Sequence, residues 1–232
     1  MDGKVAIITG GAGELGRGVC RAVKKAGGTV VSVDVDVANA ESADRVVEAD
    51  LTDAAACRSV VDNVANEFGG VDTLVNLAQK WGKADLLDVT DDEMRLVWET
   101  GPAATLRMMQ LCHPHMTARG GGAIINFGSA AGTQGGVKGE GAYAAAKEAI
   151  RGLTKHAAVE WGPDNIRVNV LCPVATEDLD RFPPTALSRI PLGRMGDPEL
   201  DVGGTVVFLA GRAGSFITGR TLHIDGGAGT FR

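Results

Sequence analysis

Short aliphatic runs recur along the chain at Val5–Thr9, Val30–Val33, Thr73–Asn76, Ala123–Asn126, Arg167–Leu171 and Thr221–Ile224. Between them, Leu15–Ala26, Ala54–Phe68, Asp91–Met116, Ala142–Trp161 and Asp201–Leu209 carry apolar residues at i, i+3 and i+4, the period of an amphipathic helix. The first four runs do not alternate with polar residues, as strands covered on both faces do not. Strands of that kind, separated by helices, predict a parallel sheet with right-handed crossovers. The expected fold class is therefore α/β: a single doubly wound domain over residues 1–232, mostly parallel sheet, with helices on both faces. No internal repeat, low-complexity tract or linker divides it.

Composition sharpens this picture in three places. Aromatic residues are 4% of the chain, so small aliphatic side chains must fill the core, while 33 glycines without a strict period imply many tight turns. The formal charge of -6 comes with no cationic cluster, which argues against a nucleic-acid or anionic-membrane partner. Cys20, Cys57, Cys112 and Cys172 are scattered with no CxxC pair. They are expected to be buried free thiols in a reducing cytoplasm. His113 and His115, flanking Pro114, lack the spacing of a metal site. The apolar run near the N-terminus is too short for a signal h-region or a membrane span, so a soluble, cytoplasmic protein is expected.

The chemistry concentrates in two segments. Strand Val5–Thr9 runs into Gly10-Gly11-Ala12-Gly13-Glu14-Leu15-Gly16-Arg17-Gly18 and then into a helical pattern. Glycines in that context permit a tight turn and let a pyrophosphate approach the helix N-terminus, with Gly10, Gly13, Glu14 and Leu15 around it. The second strand ends at Val33-Asp34. A carboxylate there accepts from adenosine ribose hydroxyls and repels a 2′-phosphate, favouring NAD over NADP; the alternative is that Asp34 only caps the following loop. Asp50 and Leu51, after the third strand of such a sheet, fall where an adenine would lie. In the second segment Tyr143 and Lys147 stand four apart, on one face of a helix. A cation within ~4–6 Å favours the phenolate of a tyrosine by roughly one to three pK units, and Ser129, fourteen residues earlier, adds a hydroxyl that could hold a substrate oxygen.

Together these residues resemble the short-chain dehydrogenase/reductase family over essentially the whole chain, with a general likeness to 3-oxoacyl carrier-protein reductases. The family's Thr-Gly-x-x-x-Gly-x-Gly turn falls on Thr9 to Gly16, and its Ser, Tyr and Lys fall on Ser129, Tyr143 and Lys147. Pro191 to Gly196 and Ile217 to Gly227 look like its closing stretches. The resemblance implies a Rossmann-type fold and NAD-dependent interconversion of a secondary alcohol and a ketone. It also implies cofactor contacts at Asn76, Ala78, Tyr143, Lys147, Val174 and Thr176, and a homotetramer or homodimer built through Asp91–Met116 and Ala142–Trp161. Two other activities stay open: a nucleotide-binding protein without turnover, and an epimerase or dehydratase holding NAD tightly. The sequence names no substrate; Gln79, Trp81, Gln134 and Lys138 are the pocket-facing candidates.

Several positions depart from the family pattern. Glu14 replaces the middle glycine of the turn. A carboxylate about 6 Å from a pyrophosphate would cost roughly 3 kcal/mol per phosphate charge at an effective dielectric of 20, so Glu14 is expected to face solvent and complement the helix dipole. Asn-Asn-Ala-Gly becomes Asn76-Leu77-Ala78-Gln79, which brings a side chain beside the expected path of the cofactor ribose. The family's catalytic asparagine aligns with Gly101. The adjoining Pro102 lacks an N–H, and a kink that frees the Trp98 carbonyl for water is expected there. Pro-Val at 173–174 replaces Pro-Gly, and a short lid, Thr176 to Ile190 with Pro183-Pro184, suggests either an open or small pocket or a disordered loop that folds on binding.

Overall fold

A computed structural model of the chain describes residues 1–134, 137–181 and 187–229. Seven strands form one parallel sheet: β1 Val5–Thr9, β2 Thr29–Asp34, β3 Arg45–Glu48, β4 Thr73–Asn76, β5 Gly122–Phe127, β6 Ile166–Pro173 and β7 Thr221–Ile224. Their spatial order is β3-β2-β1-β4-β5-β6-β7. The order reverses between β1 and β4, so a crevice opens at the carboxyl ends of those strands, where ligands of doubly wound sheets bind.

Alternation along the strands divides the core into two. Ile7 of β1 and Val31 and Val33 of β2 pack with Cys57, Val60, Val61 and Met108 on one face. Ala6 and Ile8 pack with Val19, Val23, Val206 and Leu209 on the other. The first face is covered by α2 Ala54–Phe68, α4 Ala104–Ala118 and α6 Gly141–Glu160, the second by α1 Glu14–Lys25 and, late in the chain, Gly204–Ala210. Small residues let these layers close: a Cβ on Gly18 would lie 2.5 Å from Pro198. Among the described residues no helix is long and apolar enough to cross a membrane.

The structure corrects the expected elements in three places. The third strand expected before Asp50 is β3, which is missing from the aliphatic runs because it is an exposed edge strand with only two valines in four residues and no buried run. The single helix expected over Asp91–Met116 is three pieces: α3 Asp91–Trp98, a π-helical turn Glu99–Ala103, and α4. The π register bonds i to i+5, and the Ala104 N–H accordingly donates to the Glu99 carbonyl. The carbonyl that would face the missing N–H of Pro102 thus takes the next amide along, so a free Trp98 carbonyl is not needed. The pattern at Asp201–Leu209 likewise resolves into a π turn, Pro198–Gly203, capped by the Asp197 side chain, and a seven-residue helix, α7 Gly204–Ala210, that follows it. A one-turn helix, α5 Ala130–Thr133, follows β5. Pro183 and Pro184 lie outside the described residues.

Candidate functional site

The cavity at the strand-order reversal, about 370 Å³, is lined by Gly10, Gly13, Asp34, Asp50, Leu51 and Ala78 and by Gln79. Gly10 adopts φ +69°, and a Cβ there would lie 2.8 Å from the Ala78 nitrogen, so only glycine fits. Its N–H donates to the Val33 carbonyl at 2.8 Å, tying the turn to β2. Gly13 caps α1 with no side-chain acceptor for the first helical amides, the arrangement in which an anion is attracted.

Asp34 makes the loop-cap contact weighed for it and also lines the cavity. Its Oδ1 accepts from the Val35 N–H at 2.8 Å, a loop cap, while its Oδ2 accepts from the Ala12 N–H at 3.1 Å and fixes the carboxylate on the cavity wall. Asp50 accepts from the amide and hydroxyl of Thr52, at 2.9 and 2.8 Å, and the amide bond chiefly holds its carboxyl below the usual range. Leu51 is 9% exposed and gives its carbonyl to Arg107.

Other expected cofactor residues sit elsewhere. Asn76 is buried, and its amide donates to Asn126 at 2.9 Å; Asn126 donates in turn to Thr154 at 2.9 Å, so this side chain pins β4 to β5 and α6. Val174 is engaged through its backbone, with its N–H on the Ile224 carbonyl at 2.8 Å and its carbonyl taking Gly196. Leu15 is half-buried in the first turn of α1 and, like Asn76 and Val174, does not line the cavity. Of the pocket-facing candidates, only Gln79 reaches this cavity. Trp81 is 52% exposed beneath the Lys83 ammonium, Gln134 bonds Asp225 at 2.7 Å, and Lys138 pairs with Asp85 at 2.9 Å.

Glu14 requires a correction, since it is not a solvated carboxylate. Its Oε1 accepts from the Thr176 hydroxyl at 2.6 Å and from the Glu177 N–H, while the Glu177 carboxylate is held by Arg17 and Arg21. The loop after β6 is thereby fastened onto the start of α1, and the Thr176 hydroxyl serves this contact. A hydrogen bond to a charged group contributes about 1.5–3 kcal/mol. Glu14→Gly is therefore expected to speed amide exchange at Glu177 and Asp178 by at least about tenfold, read by hydrogen–deuterium exchange; unchanged exchange would show that the fastening does not depend on the carboxylate.

At the end of β5, Ser129 caps α5, its Oγ accepting from the Ala131 N–H at 3.1 Å. Tyr143 lies in the first turn of α6 and Lys147 one turn on, its ammonium 5.4 Å from the Tyr143 ring centre and donating to the Phe127 carbonyl at 2.8 Å. The three side chains come together, but the phenol is not lowered as expected. Burial pushes Tyr143 up to about 12, against a smaller downward pull from its hydrogen bond with Ser129. Lys147 is 4% exposed, and burial brings it down to about 8. At pH 7 it still carries its charge for the most part. Sequence could not show this, because the spacing supplies the partner and not the desolvation.

The lowered lysine has a measurable consequence. Between about 8 and its ordinary 10.5 the unfolded chain binds the proton and the folded chain does not, so stability contributed by this group rises with pH through that window. From pH 8 to 10 the gain is on the order of 2 kcal/mol. The raised Tyr143 and the raised buried thiols Cys20 and Cys172 act in the opposite sense at higher pH. Tyr143 and Cys20 are present in wild type and Lys147→Met alike, and Cys172 differs only by the small downward pull of the Lys147 charge, so the difference between the two unfolding free energies is expected to shift by about that amount in denaturant titrations. A constant difference would mean that Lys147 titrates normally.

Among the described residues no three His, Cys, Asp or Glu side chains group to hold a metal. His113 instead meets Asp164 at 2.9 Å and packs edgewise on Trp161. The four cysteines are free and buried.

Comparisons with known proteins agree with this geometry. The family described as enoyl-(acyl carrier protein) reductase matches residues 10–229. A 12alpha-hydroxysteroid dehydrogenase from a Clostridium species is 39% identical, over 99% of this chain and 98% of its own length. A 3-oxoacyl-[acyl-carrier-protein] reductase from Thermotoga maritima is 33% identical over 98% of each. A crystal structure described as a short-chain alcohol dehydrogenase, from Sinorhizobium meliloti 1021, superposes with a TM-score of 0.90 at 29% identity, covering 98% of this chain and 97% of that one. The chain therefore belongs to the short-chain dehydrogenase/reductase family, oxidoreductases that act on CH–OH groups with a nicotinamide cofactor.

Proposed function

We propose that the chain interconverts a secondary alcohol and a ketone with NAD, through Ser129, Tyr143 and Lys147. The observation that carries this reading is the convergence of a half-buried Tyr143 and the buried Lys147 with Ser129 at the end of β5, beside a crevice whose wall holds the Asp34 carboxylate. The crevice fits a dinucleotide: its glycine turn holds the Gly10 backbone close against Ala78 on the cavity wall, and the first turn of α1 carries no side-chain cap. When bound, the nicotinamide supplies the acceptor or donor of hydride.

The chain's own groups handle the oxygen and its proton. Ser129 orients the substrate oxygen by hydrogen bonding. Tyr143 takes the hydroxyl proton as the alcohol is oxidised and returns it to the carbonyl oxygen in the reverse direction. Its buried phenol, held up to about 12, is a proton donor at neutral pH, which suits ketone reduction; the Lys147 charge favours the phenolate that oxidation requires. Asp34 supports NAD over NADP, because its carboxylate would face a 2′-phosphate.

A screen of alcohols and ketones read by absorbance of the reduced cofactor tests the proposal, and hydroxysteroids belong in it on the strength of the Clostridium relative. Turnover of none, with NAD bound, would favour the nucleotide-binding reading. NAD carried through gel filtration would favour the epimerase or dehydratase reading. Assembly as a homotetramer or homodimer is part of the proposal. It is supported by exposed Met94, Leu96 and Trp98 on α3 and Val159 on α6, as is residence in a reducing cytoplasm by the four free thiols.

A further inference from the structure

The Gln79 side chain is half-buried, yet its Oε1 and Nε2 are both shut from solvent and neither has a hydrogen-bond partner among the described residues. Each unpaired buried polar group costs about 1–3 kcal/mol, and native structures hold few of them. The carboxamide lies against Gly101: a Cβ on Gly101 would sit 2.7 Å from its Cδ and from Nε2, and 3.0 Å from Oε1. Gly101 is itself held in the π turn, a form frequent at functional sites. A side chain at residue 101 would therefore push the carboxamide from this seat. Gln79 also lines the cavity shared with Gly10 and Asp34.

The sheet order says which part of a ligand it meets. Along the carboxyl edge, β2, β1, β4 and β5 bring Asp34, Gly10, Gln79 and Ser129 into succession, at about 4.8 Å per strand. A dinucleotide with its adenosine ribose at Asp34 and its diphosphate at Gly10 passes Gln79 on the way to the reacting end at Ser129. The chemistry of the two orphan atoms narrows the match further. A phosphate offers acceptors alone and would leave Oε1 unpaired, whereas a ribose diol donates and accepts.

We propose that Gln79 is a cofactor-positioning residue: its carboxamide, buried against Gly101, turns into the adjoining cavity to bind the hydroxyls of the second ribose, the one on the reacting side. The proposal rests on the nucleotide reading of this cavity. It makes residues 79 and 101 a matched pair.

Calorimetric titration with ADP, ADP-ribose and NAD separates the possibilities, since ADP has one ribose and the other two have the second. Gln79→Met keeps the length of the side chain and removes the amide. It is expected to weaken ADP-ribose and NAD by about tenfold, the worth of two ordinary hydrogen bonds, to leave ADP within twofold, and to keep or raise the melting temperature because two orphan atoms are gone. Gly101→Ala should weaken the same two ligands by displacing the carboxamide, and should add little to Gln79→Gly, a coupling that two independent residues would not show. Undiminished ADP-ribose and NAD binding in a folded Gln79→Met protein would overturn the proposal, as would an equal loss of ADP, which would signal general distortion of the cavity. If the wild-type protein binds none of the three, the nucleotide reading fails and this proposal fails with it.

Discussion

Tyr143→Phe is expected to lower turnover by about 10²- to 10⁴-fold, the range over which a positioned general acid or base contributes, while NAD affinity stays within a few-fold. The substitution removes only the phenolic O–H. The ring remains beneath the Lys147 ammonium and above the end of β5, so a structural loss is not expected, and the melting temperature should show it. Removing the lysine has a different signature: in the proposed site that ammonium serves both phenol and cofactor, so Lys147→Met should weaken turnover and cofactor binding together. Steady-state kinetics with the alcohol or ketone found by the screen, set beside calorimetric NAD binding, resolves the two patterns. Substantial oxidoreductase activity in the phenylalanine variant would exclude Tyr143 as the proton-transfer group.

Much of this architecture is written in local patterns. The strands at Val5–Thr9, Thr73–Asn76 and Thr221–Ile224 and the helix at Ala54–Phe68 have the bounds the periodicity predicts, since each is a short apolar-rich run or an amphipathic turn pattern with clear punctuation. Asp53 caps α2 and the left-handed Gly69 ends it. The edge strand β3 carries no such signal, because an exposed strand has no need of apolar side chains. The break at Pro102 was legible as an irregularity, but its form as a π turn depends on how α3 and α4 pack. Tyr143 and Lys147 could be paired from spacing alone because they share one helix face. The destination of Glu14 could not be, because its partner Thr176 lies 162 positions away, and neither could the seat of Gln79 over Gly101. Such contacts exist only once the sheet has brought the ends of β1, β4 and β6 into one crevice.

The Asp34 carboxylate is expected to discriminate NAD from NADP by at least about 10²-fold in the dissociation constant. Two charges about 5 Å apart at an effective dielectric of 20 interact by roughly 3 kcal/mol, and a 2′-phosphate brought to the hydroxyls that Asp34 would bind comes that close. Salt screens part of this, over about 8 Å at physiological ionic strength, which is why the lower bound is the safer figure. Asp34→Ala should therefore lose NAD affinity and gain NADP affinity, collapsing the ratio toward unity. It also removes the acceptor for the Ala12 N–H at 3.1 Å, so a looser glycine turn could produce part of the loss. Asp34→Asn separates the two effects, because an amide oxygen still accepts from Ala12 while the charge is gone. If selectivity collapses equally in the asparagine and alanine variants, the charge is the discriminator; if only alanine loses NAD binding, the carboxylate serves the turn. Equal affinity of the wild-type protein for NAD and NADP would show that no 2′-phosphate meets Asp34 at all.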